Sequence, residues 1–238
     1  MMNIQRLGGT SRTLTFRALS SIASTDGGRV VIPRYDSLAE PTRWAKFPDG
    51  SRFWKSANGK LQRPIFVAAT RQHVGKTTCS LALMSGLKKR FNKVGFLKPV
   101  GQQHVEVQNS RGQTIRVDKD ICLVKEHFKL DHIDYDHMSP VIIPAGYTKK
   151  FIDGEITLSS QIHDVESAME NVANASDVVL CEGTGHCAVG SIVGLNNAKV
   201  ASLIGADMVL VANGGLGSAF DELELNRVLC QHYNVRVA

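Results

Sequence analysis

The sequence lacks the features that would place it in a membrane, a disulfide framework or a zinc site. No apolar run approaches the roughly 18 residues that a membrane-spanning helix needs, so we expect no membrane association. The five cysteines are scattered, odd in number and never arranged as a C-x-x-C pair, which favours a reducing compartment. Because 43% of the 238 residues are hydrophobic, the chain can bury one sizeable core, which excludes a wholly disordered protein.

Acidic residues are absent from the first 25 positions. Arg6, Arg12 and Arg17 are spread there among Ser, Thr and small apolar residues, a composition typical of an organelle transit peptide. Residues 1–25 are therefore predicted to direct the protein to the mitochondrial matrix, with an ordinary N-terminal tail of a cytoplasmic protein as the alternative. Residues 26–63 are polar and contain three prolines, which predicts a linker or a loosely packed arm.

The positive charge of the chain is concentrated in these same N-terminal residues. Residues 1–63 hold 11 Lys and Arg against 4 Asp and Glu, which leaves 17 against 18 for residues 64–238. The segment expected to fold is thus close to neutral. A nucleic-acid partner, which would need a basic surface, is not expected.

From residue 64 onward, short apolar runs rich in β-branched residues alternate with stretches of helical period. This alternation predicts an α/β fold with a mostly parallel sheet, the three-layer arrangement of a P-loop NTPase. The predicted strands are residues 65–69, 94–97, 177–181, 208–212 and 235–238, and the predicted helices are residues 78–91, 158–172, 196–204 and 218–231. Because the chain stops as a strand begins, we expect the domain at 64–238 to be incomplete at its C-terminus.

A phosphate-binding loop follows the first predicted strand. Walker A loops need a strand, a turn whose backbone N–H groups face the phosphates, and a helix whose positive end adds to the field. Gly75 would let the backbone approach a phosphate, Lys76 would contact the β- and γ-phosphates, and the Thr77 hydroxyl could bind Mg²⁺. The predicted nucleotide-binding residues are Val74, Gly75, Lys76, Thr77 and Thr78.

Charged residues follow the next two strands or precede a helix. Lys98 ends the second strand, at the sheet edge where α/β proteins bind ligands, although a solvated lysine before a proline has the same pattern. Glu182 ends the third strand before a glycine-rich turn, the position of a Walker B acid that binds Mg²⁺, with a glutamate facing solvent as the alternative. Asp118 and Asp120 precede an apolar-periodic stretch, and either completes the metal site or caps a helix.

Taken in order, several motifs resemble the dethiobiotin synthetase family over roughly residues 64–238. They are Val74-Gly75-Lys76-Thr77, Lys98-Pro99-Val100, an Asp before a helix, Ser139-Pro140 and Glu182-Gly183-Thr184-Gly185. That family has a phosphate loop one residue longer than the usual Walker A, which would put Ala69, and not Thr70, at the place of the first glycine.

The resemblance implies a ligase that uses ATP and Mg²⁺. In the family, CO₂ forms a carbamate on diaminopelargonate, ATP phosphorylates the carbamate, and a second amine closes the ureido ring of a biotin precursor. The implied catalytic residues are Lys76 and Lys98. The implied Mg²⁺ ligands are Thr77, Glu182 and one of Asp118 and Asp120.

Two departures from the family's pattern leave the substrate open. Gln72-His73 stands where dethiobiotin synthetases carry Thr-Glu, and Thr184-Gly185-His186 replaces a Gly-Gly-aromatic run. Residues 139–154 look more like the dethiobiotin-synthetase-like domain at the front of some phosphotransacetylase-type proteins.

Three hypotheses follow from this pattern. They are a biotin-pathway ligase, a P-loop sensor or regulatory domain of a phosphotransacetylase-like protein, and an amide-forming relative of cobyrinate diamide synthases. The last needs ammonia, normally from a glutaminase domain, and ranks third. We expect a small-molecule substrate, take ATP over GTP from the resemblance, and keep a homodimer open as the assembly.

Overall fold

The computed structural model describes residues 52–238 and three short strands before them: β1 (Ala23–Ser24), β2 (Arg29–Val30) and β3 (Trp44–Lys46). β1 and β2 pair antiparallel within a first unit, Met1–Ser37, and a second unit comprises Leu38–Ala238. The predicted transit peptide lies outside the described residues apart from β1. Most of the predicted linker before residue 52 also lies outside them.

Four parallel strands form the central sheet of the second unit. Their order across the sheet is β13 (Asp207–Val211), β6 (Ile65–Ala69), β12 (Val178–His186) and β7 (Val94–Leu97). Strands buried on both faces need continuous apolar runs, and all four residues of β7 are buried. The predicted α/β fold with a mostly parallel sheet is confirmed.

Helices cover both faces of this sheet. α1 (Lys76–Leu87) joins β6 to β7, whereas α4 (Leu158–Ala175) and α5 (Asn197–Leu203) precede β12 and β13. The connection from β6 to β7 crosses the sheet in one direction, and the connections from β7 to β12 and from β12 to β13 cross it in the opposite direction. Because such connections are right-handed, α1 lies on one face of the sheet, and α4 and α5 lie on the other. α6 (Ser218–His232) follows β13 and contacts α5. No helix in the described ranges is both long and apolar enough to cross a membrane.

Side chains from the strands and helices interlock in one hydrophobic core. Fully buried members include Phe66, Met84, Phe96, Met169 and Leu180. Removing each of these side chains from water contributes about 2 kcal/mol to folding. The core therefore fixes the carboxyl ends of the strands, where the candidate site lies.

A segment between β7 and α4 contains elements that the sequence analysis does not predict. β8 (Val100–Gly101) pairs in parallel with β11 (Val141–Ile142), and β9 (His104–Gln108) forms an antiparallel hairpin with β10 (Thr114–Asp118). The remaining elements are α2 (Lys119–Phe128), a 3-10 turn at Tyr135–His137 and α3 (Tyr147–Ile152). β10 runs directly into α2 at Asp118, which brings that carboxylate to the sheet edge.

Some predicted boundaries differ from the observed ones. β12 continues to His186 instead of ending at Cys181, and its register against β6 shifts between Glu182 and His186. The glycines at 183 and 185 predict a turn, yet they lie within an irregular extension of the strand. α1 ends at Leu87, four residues before its predicted end, and the predicted strand at 235–238 is one parallel bridge from Val237 to Met208.

Residues 52–62 belong to the packed part of the chain. β4 (Arg52–Lys55) pairs antiparallel with β3 and with β5 (Leu61–Gln62), and the Trp54 side chain on β4 is fully buried. The Gln62 amide donates hydrogen bonds to the carbonyl oxygens of Ala173 at 2.8 Å and Ser176 at 2.6 Å, at the end of α4. Residues 52–62 therefore pack against the domain predicted to begin at residue 64.

Candidate functional site

The phosphate loop begins at the carboxyl end of β6. Thr70 N–H donates to the Val211 carbonyl on β13 at 3.0 Å, and the Asn226 amide on α6 donates to the Thr70 carbonyl at 3.1 Å. The chain then turns through Gly75, which has a φ of +95° and immediately precedes α1. No atom would lie within 4 Å of a Cβ at Gly75, so its left-handed backbone, and not crowding, requires glycine there.

The first turn of α1 directs backbone donors toward this loop. α1 begins at Lys76, and its first hydrogen bond joins Cys79 N–H to the Gly75 carbonyl at 2.9 Å. The N–H groups of a first helical turn have no partner within the helix and lie at its positive end. The predicted nucleotide-binding residues 74–78 therefore occupy the geometry that binds phosphate at helix N-termini.

Lys76 is half-buried in this first turn. Burial lowers the pKa of Lys76, and nearby Lys98 lowers it further, while Glu182 and Asp120 offset part of the effect. The protein by itself thus stabilises the charged form of Lys76 less well than water does. A phosphate group beside this ammonium would reverse the imbalance, because it would add a negative charge at short range.

Glu182 is almost completely buried, with 1% of its surface exposed. The Thr77 hydroxyl donates to Glu182 Oε1 at 2.9 Å, which joins the phosphate loop to β12. Burial raises the pKa of Glu182, although Lys98 and the hydroxyls of Ser80 and Thr77 act in the opposite direction. The alternative of a solvent-facing glutamate is therefore wrong.

Lys98 lies among three carboxylates and is 6% exposed, so it is not a solvated lysine. Its Nζ is 2.9 Å from Asp118 Oδ1 and 3.9 Å from Glu182 Oε1, and it also forms an ion pair and hydrogen bond with Asp120. Burial alone would lower the pKa of Lys98, but the three carboxylates outweigh it and raise the pKa. The Lys98 backbone is fixed as well, because its N–H donates to the Met138 carbonyl at 2.9 Å.

Asp118 caps a helix, one of the two roles that its sequence position leaves open. It is the N-cap of α2, where its Oδ1 accepts a hydrogen bond from Asp120 N–H at 3.1 Å, and it also pairs with Lys98. Asp118 N–H donates to the Ser139 hydroxyl at 3.0 Å. Ser139, quoted for the family resemblance, thus supports the aspartate that faces the site.

One cavity of about 250 Å³ is lined by Lys76, Thr77, Lys98, Asp118, Asp120 and Glu182. The other predicted nucleotide-binding residues, Val74, Gly75 and Thr78, are not part of its lining. The remaining lining residues are Gln72, His73, Gln102, Gln103, Lys119 and residues 183–185. The sequence analysis names all of them, as parts of motifs or as departures from the family pattern, except Gln102, Gln103 and Lys119. Gln102 and Gln103 follow the Lys98-Pro99-Val100 motif and Lys119 follows Asp118, so proximity in sequence was the available signal.

Asn197 holds the glycine-rich extension of β12 beside the cavity. Its amide donates to the carbonyl oxygens of Thr184 and His186, each at 2.8 Å, and its Oδ1 accepts from Thr184 N–H at 3.2 Å. The Thr184 hydroxyl donates to the Val100 carbonyl at 2.5 Å. A Cβ at Gly183 would come within 2.6 Å of Asn197 Oδ1, so this close approach requires glycine.

The site's oxygen ligands are of the kind that Mg²⁺ binds. Throughout the described ranges, no three His, Cys, Asp or Glu side chains form a group that could hold a metal ion as they stand. Asp118, Asp120 and Glu182 each contact the Lys98 ammonium instead. Carboxylate and hydroxyl oxygens are the ligands that Mg²⁺ prefers. Buried Glu182 Oε2 has no hydrogen-bond partner of ordinary geometry among the described residues, which leaves an acceptor for a cation. The ligand set therefore fits Mg²⁺ in kind.

Comparison with known proteins identifies two groups of relatives. A family model described as an AAA domain, AAA_26, matches residues 63–238. Phosphate acetyltransferases of Nitrosomonas europaea and Deinococcus radiodurans are 27% and 29% identical over 167 and 168 residues. These matches cover 68% of this chain in both cases, and the chain spans only 21% of the length of each relative.

The second group consists of dethiobiotin synthetases. The ATP-dependent dethiobiotin synthetase BioD of Xanthomonas euvesicatoria is 25% identical over 160 residues, which are 66% of this chain and 68% of that protein. The predicted resemblance to dethiobiotin synthetases and phosphotransacetylase-type proteins is thus confirmed.

Two solved structures are also similar to this chain. The kinase domain of the Escherichia coli tyrosine kinase ETK has a TM-score of 0.41 at 15% identity and covers 74% of this chain and 65% of its own. A plasmid partition protein from Borrelia burgdorferi has a TM-score of 0.41 at 13% identity and covers 73% and 74%. Likeness of this degree says nothing about function. The family match, in contrast, spans most of the chain, which belongs to the AAA_26 family and is a nucleotide-binding P-loop protein.

Proposed function

We propose that the domain binds ATP with Mg²⁺ and transfers the γ-phosphoryl group to a small anionic substrate, as a dethiobiotin synthetase-like ligase acting on a carbamate. The observation that carries this proposal is a second lysine in the cavity, the buried Lys98. Lys98 shares one cavity with Lys76, Thr77 and Glu182, although nucleotide binding by itself needs only the phosphate loop. Two lysines at one phosphate site can neutralise charge on a phosphoryl group and on its acceptor together.

Each group has a definite task in this proposal. Lys76 and the first turn of α1 bind the β- and γ-phosphates, and Lys98 binds the acceptor oxygen and the transferring phosphoryl group. A carbamate oxygen attacks the γ-phosphorus while the bond to the β–γ bridging oxygen breaks, and ADP leaves. The second amine then attacks the carbamate carbon, closes the ring and releases phosphate.

The proposed metal ion would contribute charge neutralisation to the reaction. Mg²⁺ held by Thr77, Glu182 and Asp118 or Asp120 would neutralise charge on the nucleotide phosphates. The protein residues position the reactants around it, because the cavity is surrounded by fixed strand ends and helix caps.

A nucleotide-binding sensor or regulatory domain is the second candidate function. It is favoured by the two phosphate acetyltransferases, in which this chain matches 21% of the length. Gln72-His73 and residues 184–186, where the chain departs from dethiobiotin synthetases, also line or adjoin the cavity. A sensor would use the phosphate loop and would not require a diamine substrate.

A coupled assay of ADP release distinguishes the two candidates. Full-length protein receives ATP, Mg²⁺ and bicarbonate, with and without diaminopelargonate. The ligase hypothesis predicts that ADP appears only when the diamine is present. Release that ignores the diamine, while ATP still binds tightly, would refute the ligase hypothesis and favour the sensor.

Two variants connect this assay to the site. Lys98→Met should remove the diamine-dependent ADP release, because the acceptor would lose its cation. Lys149→Met, at an exposed position on α3, removes the same charge outside the cavity and should release ADP at the wild-type rate. Equal loss in both variants would point to a general effect of charge and not to the site.

A further inference from the structure

We infer that Lys98 occupies the place of the divalent cation in the nucleotide-free protein, and so excludes free metal until it arrives with the nucleotide. The inference rests on the proposed Mg²⁺-ATP site and adds an order of binding to it. Its starting point is the contact of one ammonium group with every carboxylate of the proposed metal site.

The coordination of Lys98 resembles that of a bound cation. Its Nζ is 2.9 Å from Asp118 Oδ1, 3.9 Å from Glu182 Oε1 and within hydrogen-bonding distance of Asp120. An ammonium carries three donors, and here three carboxylates from three elements surround it. All four side chains are largely removed from water, with at most 14% of any of them exposed.

Metal and Lys98 cannot share this position. A Mg²⁺ ion needs oxygen ligands at about 2.1 Å, so it would have to displace the ammonium from between the carboxylates. A displaced lysine with no anion nearby would remain buried beside the metal and Lys76, at a cost in charge repulsion and desolvation. Free Mg²⁺ therefore gains little by entering alone.

A nucleotide removes this obstacle because it brings its own negative charge. The γ-phosphate would lie near Lys76 and offer the displaced Lys98 ammonium a new partner while Mg²⁺ takes over the carboxylates. Only the side chain has to move, since the Lys98 N–H is hydrogen-bonded to the Met138 carbonyl and Pro99 follows. Lys98 is then a residue that sets specificity for the metal-nucleotide complex over the free metal.

Binding of Mn²⁺ alone, measured from the electron paramagnetic resonance signal of the free ion, tests the inference. Wild-type protein without nucleotide should bind Mn²⁺ at least about tenfold more weakly than Lys98→Met, in which no ammonium competes. Lys98→Arg keeps the charge and should exclude Mn²⁺ as the wild type does. Lys149→Met is the matched control and should also follow the wild type.

Removing the Lys98 charge leaves three carboxylates without their cation and could destabilise Lys98→Met, so thermal unfolding is measured as well. Mg²⁺ should raise the melting temperature of that variant much more than that of the wild type, because it binds only the folded state. A second measurement uses the wild type alone: the amount of Mn²⁺ retained with the protein by an ultrafiltration membrane that passes Mn²⁺-ATP should show binding strengthened by far more than tenfold when ATP is present.

Wild-type protein that binds free Mn²⁺ as tightly as Lys98→Met, or as tightly as it does with ATP, would overturn the inference. Neither result depends on turnover. The ligase hypothesis can therefore be refuted by the ADP assay while Lys98 still excludes free metal. Conversely, Lys98 can prove not to exclude metal while ADP release still depends on the diamine.

Discussion

The two sides of the candidate site differ in what holds them in place. We call residues 70–78 the phosphate wall, and Lys98, Asp118, Asp120 and Glu182 the carboxylate wall. The phosphate wall beyond Thr70 is exposed or half-buried and owes its shape to backbone conformation, with positive φ at both His73 and Gly75. The carboxylate wall is buried, and its side chains bind one another.

This difference shows which wall can accept a ligand without rearrangement. Backbone N–H groups at a helix start remain available, so the phosphate wall is preorganised. The carboxylate wall has already satisfied most of its charges internally, so a ligand must exchange partners there. Substitutions in the two walls should therefore have effects of different size and kind.

The largest effect is expected from Lys76→Ala in the phosphate wall. This change removes a charge-assisted contact to the phosphates, and ATP affinity should fall by about 100-fold, or about 3 kcal/mol. Titration calorimetry with Mg²⁺-ATP measures the loss, with Lys149→Met as a charge-matched control. Unchanged affinity in Lys76→Ala would contradict the assignment of the phosphate loop.

An intermediate effect is expected from Glu182→Gln in the carboxylate wall. The fold should be retained, because burial already disfavours the charged form of Glu182 and the amide has nearly the same shape. The Mg²⁺ concentration needed for half-maximal ADP release should rise by about tenfold. Glu106→Gln on the exposed side of the β9–β10 hairpin is the control. Superimposable Mg²⁺ curves for Glu182→Gln and wild type would leave Glu182 without a metal role.

The smallest effect is expected from Gly75→Ala, which tests whether the phosphate wall depends on backbone conformation. A Cβ at a φ of +95° costs about 1 kcal/mol of strain, although it would touch nothing within 4 Å. Gly59, in the turn between β4 and β5, has a φ of +84° and the same open surroundings. Chemical denaturation should give similar stability losses for Gly59→Ala and Gly75→Ala, whereas only Gly75→Ala should weaken ATP binding. Equal ATP affinities would show that the turn adapts freely.

The central strands could be predicted from sequence because they are buried on both faces. The runs at residues 65–69 and 94–97 match β6 and β7 residue for residue, since short continuous apolar segments between polar stretches leave little ambiguity. The β9–β10 hairpin was missed although its signal was present. His104–Gln108 and Thr114–Asp118 alternate polar and apolar residues around a turn containing Gly112, the pattern of a half-exposed hairpin.

The sequence could predict which residues reach the site, because they follow strands or begin helices, but not how their side chains contact one another. Lys98, Glu182 and the two aspartates each carry a local signal, and the fold brings them to one edge. Their mutual ion pairs join residues 20 or more positions apart, and no local pattern encodes such contacts. The same reason explains why Asn197, whose hydrogen bonds reach back to Thr184 and His186, escaped notice.

β4 and β5 precede residue 63, where the match to the family model begins, yet they are part of the packed structure. Lys60 and Gln62 supply hydrogen-bond donors to the carbonyl oxygens of Ala173 and Ser176, which end α4. Trp54 fills the interior, and Gly205 lies against the backbone of β4, so close that a Cβ there would come within 2.9 Å of Phe53. A shortened protein that starts at residue 63 would follow the family boundary, yet it would expose a hydrophobic seam and an uncapped helix end. The match to the family model and the packed region of this chain therefore do not begin at the same residue.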